Sequence, residues 1–120
     1  MAWQGFDVRK FPRVDVGLKV NISLDSDNAK SIEGITKNIG IGGICVYSNK
    51  KMSIFDSVNV KLFLDLSPRP EFISCCGQVV WVVKTKEDKD EKSGYDIGIQ
   101  FLNITIKDKS KIEKFIQTIS

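Results

Sequence analysis

Apolar and polar residues alternate with period two along most of the chain, which is the mark of half-buried β-strands. Leu18, Val20, Ile22 and Leu24 fall on one face, with Lys19, Asn21 and Ser23 on the other. The polar run 25–28 (DSDN) is turn chemistry, because short polar side chains bond their own backbone, and it closes this first strand. A second strand is predicted over 31–39 and a third over 43–47, where Ile44 and Val46 alternate with Cys45 and Tyr47; Gly40, Gly42 and Gly43 fall in and around the turn between them. Val58, Val60, Leu62, Leu64 and Leu66 define a fourth strand, ended by the proline-bracketed turn 67–70 (SPRP). A long fifth strand places Ile73, Cys75, Gly77, Val79, Trp81 and Val83 on one face, with Gly77 suggesting a bulge or bend. The hydrophilic run 84–94 reads as a hairpin loop, and Tyr95, Ile97, Ile99 and Phe101 share the inward face of a sixth strand, with Gly98 opposite.

The period then changes. Ile112, Phe115, Ile116 and Ile119 recur at i, i+3, i+4 and i+7, the stripe of an amphipathic helix. Thr105 followed three residues later by Asp108 has the form of a capping box, so the helix is expected to start near Ile106. Six antiparallel strands and one terminal helix predict an all-β fold: a closed or nearly closed barrel, which hides sheet edges, with the helix plugging one end.

Composition agrees with a single domain. The chain has 120 residues, 42% hydrophobic and 28% charged, close to the averages for packed globular proteins. The longest apolar run, 79–83 (VVWVV), is far short of the roughly 20 residues of a membrane-spanning helix, so no membrane insertion is expected. The start of the chain, MAWQGFDVRK, lacks the layout of a secretory signal, and a cytoplasmic location is expected. Cys45, Cys75 and Cys76 are odd in number and have no C-x-x-C spacing, so they read as reduced thiols, with at most one of the adjacent pair facing the core.

Histidine is absent, which removes the commonest general base and the commonest zinc ligand together, and no nucleophile–base pair takes its place. An enzyme is therefore not expected, and neither a metal nor a cofactor. The net charge of +3 is too mild for bulk neutralisation of nucleic-acid phosphates, and the strands carry no stripe of aromatics interleaved with basic residues. No nucleic-acid partner is expected.

Positive charge is instead concentrated in the segment 8–19 (VRKFPRVDVGLK), where Arg9, Lys10, Arg13 and Lys19 are set against only Asp15. Within RKFPR at 9–13, Pro12 disfavours helix at Phe11, so the segment is expected to be an extended or looped arm. An arginine presents five donors in a planar fork that bridges phosphates or guanine edges and also stacks on a base. Two of them on one arm suit a ligand that is both anionic and aromatic.

The order RKFPR, first strand, NIGIGG, GQVVW, YDIGIQF and terminal helix resembles the PilZ domain family from residue 9 to 118. The family's signature is Arg-x-x-x-Arg in the arm and Asp/Asn-x-Ser-x-x-Gly at a strand end. Arg9 and Arg13 match the first part; Asn38 and Gly43 match the second, with Gly40 where the family usually has serine. The resemblance implies a six-stranded antiparallel PilZ-type β-barrel over 9–120, with 1–8 as an N-terminal tail.

It also implies a receptor for the bacterial second messenger cyclic di-GMP. Arg9 and Arg13 would wrap the ligand, Asn38 would bond a guanine edge, Gly43 would allow close backbone approach, and Lys10 would add a phosphate contact. The arm would close over the nucleotide and present a new surface to a downstream protein partner, in a chain that is a monomer or homodimer. Outputs of such signalling include motility and the adhesion and polysaccharide secretion of biofilms. The missing serine hydroxyl at Gly40 removes one hydrogen bond, about 0.5–1.5 kcal/mol, or up to roughly tenfold in affinity. The alternative reading is a protein-interaction adaptor of the same fold with weak or no nucleotide binding.

Overall fold

The computed structural model describes residues 13–24, 27–64, 70–86 and 93–119. Among these residues seven strands precede a helix: β1 (Arg13–Val14), β2 (Lys19–Leu24), β3 (Asp27–Gly40), β4 (Gly43–Ser48), β5 (Ser57–Leu64), β6 (Glu71–Lys86) and β7 (Ser93–Phe101), then α1 (Ile106–Ile119). All pairings are antiparallel. They run β3-β2-β5-β6-β7-β4, and β4 pairs back onto β3, so six strands close into the expected barrel. The seventh, β1, is a two-residue addition on the end of β3, where Arg13 faces Gly40 and Val14 faces Ile39.

The core follows the alternation. Val20 and Ile22 from β2, Val58, Val60, Leu62 and Leu64 from β5, and Ile97, Ile99 and Phe101 from β7 are buried together. Closure leaves the ladder between β3 and β4 satisfied, so neither is an unpaired edge. A second tie joins the approach to β2 with β3: the buried Thr36 hydroxyl accepts from the Leu18 amide at 2.8 Å and donates to the Val16 carbonyl at 2.6 Å. No helix among the described residues is long and apolar enough to cross a membrane.

The helix starts where the capping residues place it. The Thr105 hydroxyl accepts from the Asp108 amide at 3.1 Å, satisfying one of the amide donors that the first turn leaves without an intrahelical acceptor. Ile112, Phe115 and Ile116 are buried on the barrel, worth roughly 1.5–3 kcal/mol each. Ile119, expected on the same stripe, is exposed.

Other expectations need correction. The turn after β2 is tighter than DSDN, since Leu24 already pairs with Asp27 after a register shift at Ser23 and Leu24. Strand ladder continues to Lys86 and resumes at Ser93, so the expected loop 84–94 is strand at both flanks. The bulge in β6 lies between Val79 and Trp81 and not at Gly77. A one-residue slip exchanges the two faces. Trp81 therefore leaves the core phase, Val82 packs on the core, and Val83 is exposed. Gly77 serves close packing instead: a Cβ there would come within 2.8 Å of the Ile99 side chain. Of the cysteines, all free, Cys75 faces the core while Cys76 is partly exposed, its thiol 3.6 Å from Asn59 Oδ1.

Candidate functional site

The site grows from the turn joining β3 to β4. Val14 and Ile39 form one register pair, and Ile39 is buried in the core with Val14 packed against the same cluster. The adjacent pair, Arg13 and Gly40, consequently points to the outer face of the barrel. Asn38, two residues before Gly40 on β3, shares that face. Arg13 is exposed, Asn38 half-buried and Gly40 buried.

Gly43 opens β4 on the same outer face, opposite Gln100 of β7. A Cβ at Gly43 would run into the Ile99 carbonyl oxygen, so glycine is required there by the approach of two backbones. The ladder beside it is extended by the Phe101 amide, which donates to the Gly42 carbonyl at 2.9 Å. Four of the six candidate residues, Arg13, Asn38, Gly40 and Gly43, thus lie around one turn on one face. Arg9 and Lys10 lie outside the described residues.

The floor beyond Asn38 is a row across four strands: Asn38 opposite Cys45, Cys45 opposite Gly98, and Gly98 opposite Trp81. The Trp81 indole lies directly over Gly98, where a Cβ would collide with the ring. Cys45 is buried within this row, and that burial pushes its thiol up to about 11, so it is a neutral floor group.

One row further, Lys37 reaches from a register shift in β3 between Thr36 and Asn38. Its ammonium sits 2.9 Å from Asp96 Oδ2, and the hydrogen bond to Asp96 raises its pKa. Lys37, Cys45 and Trp81 were not visible as neighbours of the site in the sequence. Gly98, opposite the apolar face of an alternating strand, was the one available signal that something large lies across it.

The face therefore offers a guanidinium and a carboxamide next to a glycine-lined turn, beside a neutral floor. That set can pair with an anion and with the edge of a planar base. Among the described residues no cluster of three or more metal-ligating side chains occurs.

Comparison with known proteins bears on this geometry. The family model described as PilZ domain matches residues 7–118. No curated protein matches the sequence. Among solved structures, the inhibitor of motility MotI/DgrA from Bacillus subtilis superposes with a TM-score of 0.74 at 19% identity, over 94% of this chain and 51% of that one. The PilZ domain of YcgR from Escherichia coli, with c-di-GMP, gives 0.70 at 11% identity over 92% of this chain and 90% of that one. The MrkH–c-di-GMP complex from K. pneumonia gives 0.72 at 20% identity over 94% and 52%. The chain spans about half the length of MotI/DgrA and MrkH. Identities this low make these likenesses of fold, and they agree with the closed six-stranded barrel and terminal helix. With the family model covering nearly its whole length, the chain belongs to the PilZ domain family.

Proposed function

We propose that this chain is a cyclic di-GMP receptor that binds the nucleotide on the outer face at the β3–β4 turn. The observation that carries the reading is the shared outward face of Arg13, Gly40 and Asn38, fixed by the register of β1 on β3. Arg13 supplies a charge-assisted contact to phosphate or a guanine edge, and Asn38 a paired donor and acceptor for a guanine edge. Arg9 and Lys10, earlier on the same arm, add further positive charge. Two of the fold neighbours, the YcgR PilZ domain and MrkH, are complexes with c-di-GMP, which supports the choice of ligand.

Closing of the arm on the nucleotide would present a changed surface to a protein partner. The fold neighbour MotI/DgrA is an inhibitor of motility, which supports motility as one output. Competition for a fluorescent cyclic di-GMP tests ligand class. Unlabelled cyclic di-GMP is expected to displace the probe, whereas cyclic di-AMP and GMP leave it bound; equal displacement by all three would refute guanine recognition.

A further inference from the structure

The connection from β4 to β5 carries a feature that the nucleotide reading does not use. Residues 53–56 form a turn in which the Asp56 amide donates to the Ser53 carbonyl at 3.1 Å and Asp56 Oδ2 accepts from the Ser53 amide at 3.0 Å. The turn is fastened to β6 as well: the Phe55 amide donates to the Val79 carbonyl at 2.7 Å, and the Val79 amide to the Asp56 carbonyl at 3.0 Å. Met52 is buried beneath it.

This held turn presents two adjacent apolar side chains outward. Ile54 is 48% and Phe55 75% exposed, and Phe55 has φ 76°, the one non-glycine residue with positive φ among those described. Positive φ is costly for a bulky side chain and free for glycine, so backbone geometry alone argues against phenylalanine here. Strain of this kind, kept at a surface where the ring touches little, points to function. Lys50 and Lys51, both exposed, immediately precede the turn.

We infer that the segment 50–56 is a docking point for an anionic lipid surface, with Ile54 and Phe55 entering the headgroup–acyl boundary and Lys50 and Lys51 meeting lipid phosphates. Two observations favour a bilayer over a protein. The exposed apolar surface here is only two adjacent side chains, which bury little against a rigid partner but can be enveloped by a deformable phase. The flanking charge is complementary to anionic headgroups. The turn leads into Ser57, which shares a ladder row with Gly43 through Gln78 and Gln100, three strand spacings or about 14 Å around the barrel at ~4.8 Å each, so nucleotide and lipid would meet the same end of the barrel at neighbouring positions. Docking of this kind is shallow and needs no spanning segment.

Co-sedimentation of the whole chain with vesicles of phosphatidylcholine alone, and with one third phosphatidylglycerol, tests this. Wild-type protein is expected to pellet with the anionic vesicles and to be released by salt. Phe55→Gly is expected to weaken partitioning roughly tenfold while its melting temperature is no lower than wild type, because glycine accepts the φ. Ile54→Ser, at a position with no strained backbone, should lose binding similarly. Lys50→Ala/Lys51→Ala should lose the preference for anionic lipid. Protein that stays in the supernatant, Phe55→Gly that pellets like wild type, or Phe55→Gly that melts markedly lower would each overturn the inference. The last would make Phe55 a structural residue.

Discussion

Arg13 stands directly opposite Gly40 in the β1–β3 register, and the neighbouring pair of Val14 with Ile39 anchors that contact in the core. Two residues of pairing are enough to fix which way the arginine points. The end of the basic arm is thereby tied to the same strand that carries Asn38, and the approach to β2 is tied to β3 by Thr36.

Replacing Arg13 by alanine should leave the pairing intact, because the ladder uses backbone groups, while removing a charge-assisted contact worth about 1.5–3 kcal/mol. Binding of cyclic di-GMP is expected to weaken by roughly 10- to 100-fold. The melting temperature should change little, since Arg13 is exposed. Paired binding and melting curves separate the two effects.

Gly40→Ser restores the hydroxyl usual at this position in the family. Affinity for cyclic di-GMP should rise by up to about tenfold, the worth of one added hydrogen bond. A folded Gly40→Ser protein with unchanged affinity would show that the hydroxyl does not reach the ligand.

At Gly43 the family motif and the packing make the same demand for different reasons. A Cβ there meets the Ile99 carbonyl, which belongs to the ladder and cannot turn aside. Gly43→Ala should therefore destabilise the barrel, by about 1–3 kcal/mol, as well as impair binding. Chemical denaturation in the absence of nucleotide measures the first part alone.

Thr36→Val keeps the shape but deprives the Leu18 amide and the Val16 carbonyl of their shared partner. The cost is about 2 kcal/mol, or roughly 8 °C in melting temperature. Thermal melts monitored by circular dichroism would show it; a shift within about 2 °C, a quarter of that expected, would contradict the role given to the hydroxyl.

Burial holds the Cys45 and Cys75 thiols up at about 11, against an ordinary value of 9.0. Between these values the folded chain keeps its thiol protons while the unfolded chain loses them. Stability contributed by the neutral thiols is fully present below pH 9 and falls as pH rises toward 11. Urea denaturation at pH 8 and pH 10 should show the loss, and it should shrink in Cys45→Ser/Cys75→Ser.

Much of the barrel was legible because β2, β5 and β7 alternate without interruption, so each residue's face follows from its parity. Parity fails at a bulge. The register shift after Val79 turned Trp81 out of the core and onto Gly98, and the shift before Asn38 put Lys37 within reach of Asp96. β1 escaped the pattern because two residues have no period, and its pairing exists only once β3 is in place. The site was legible through spaced motif residues, Arg13 with Asn38, Gly40 and Gly43. The demand of Ile99 on Gly43 was not, since it comes from a strand more than fifty residues away.

Isothermal titration of the purified chain with cyclic di-GMP tests the central claim most directly. A saturable heat with defined stoichiometry, lost or greatly weakened in Arg13→Ala, is the expected result. No heat and no competition at high micromolar nucleotide, with circular dichroism showing folded protein, would contradict it.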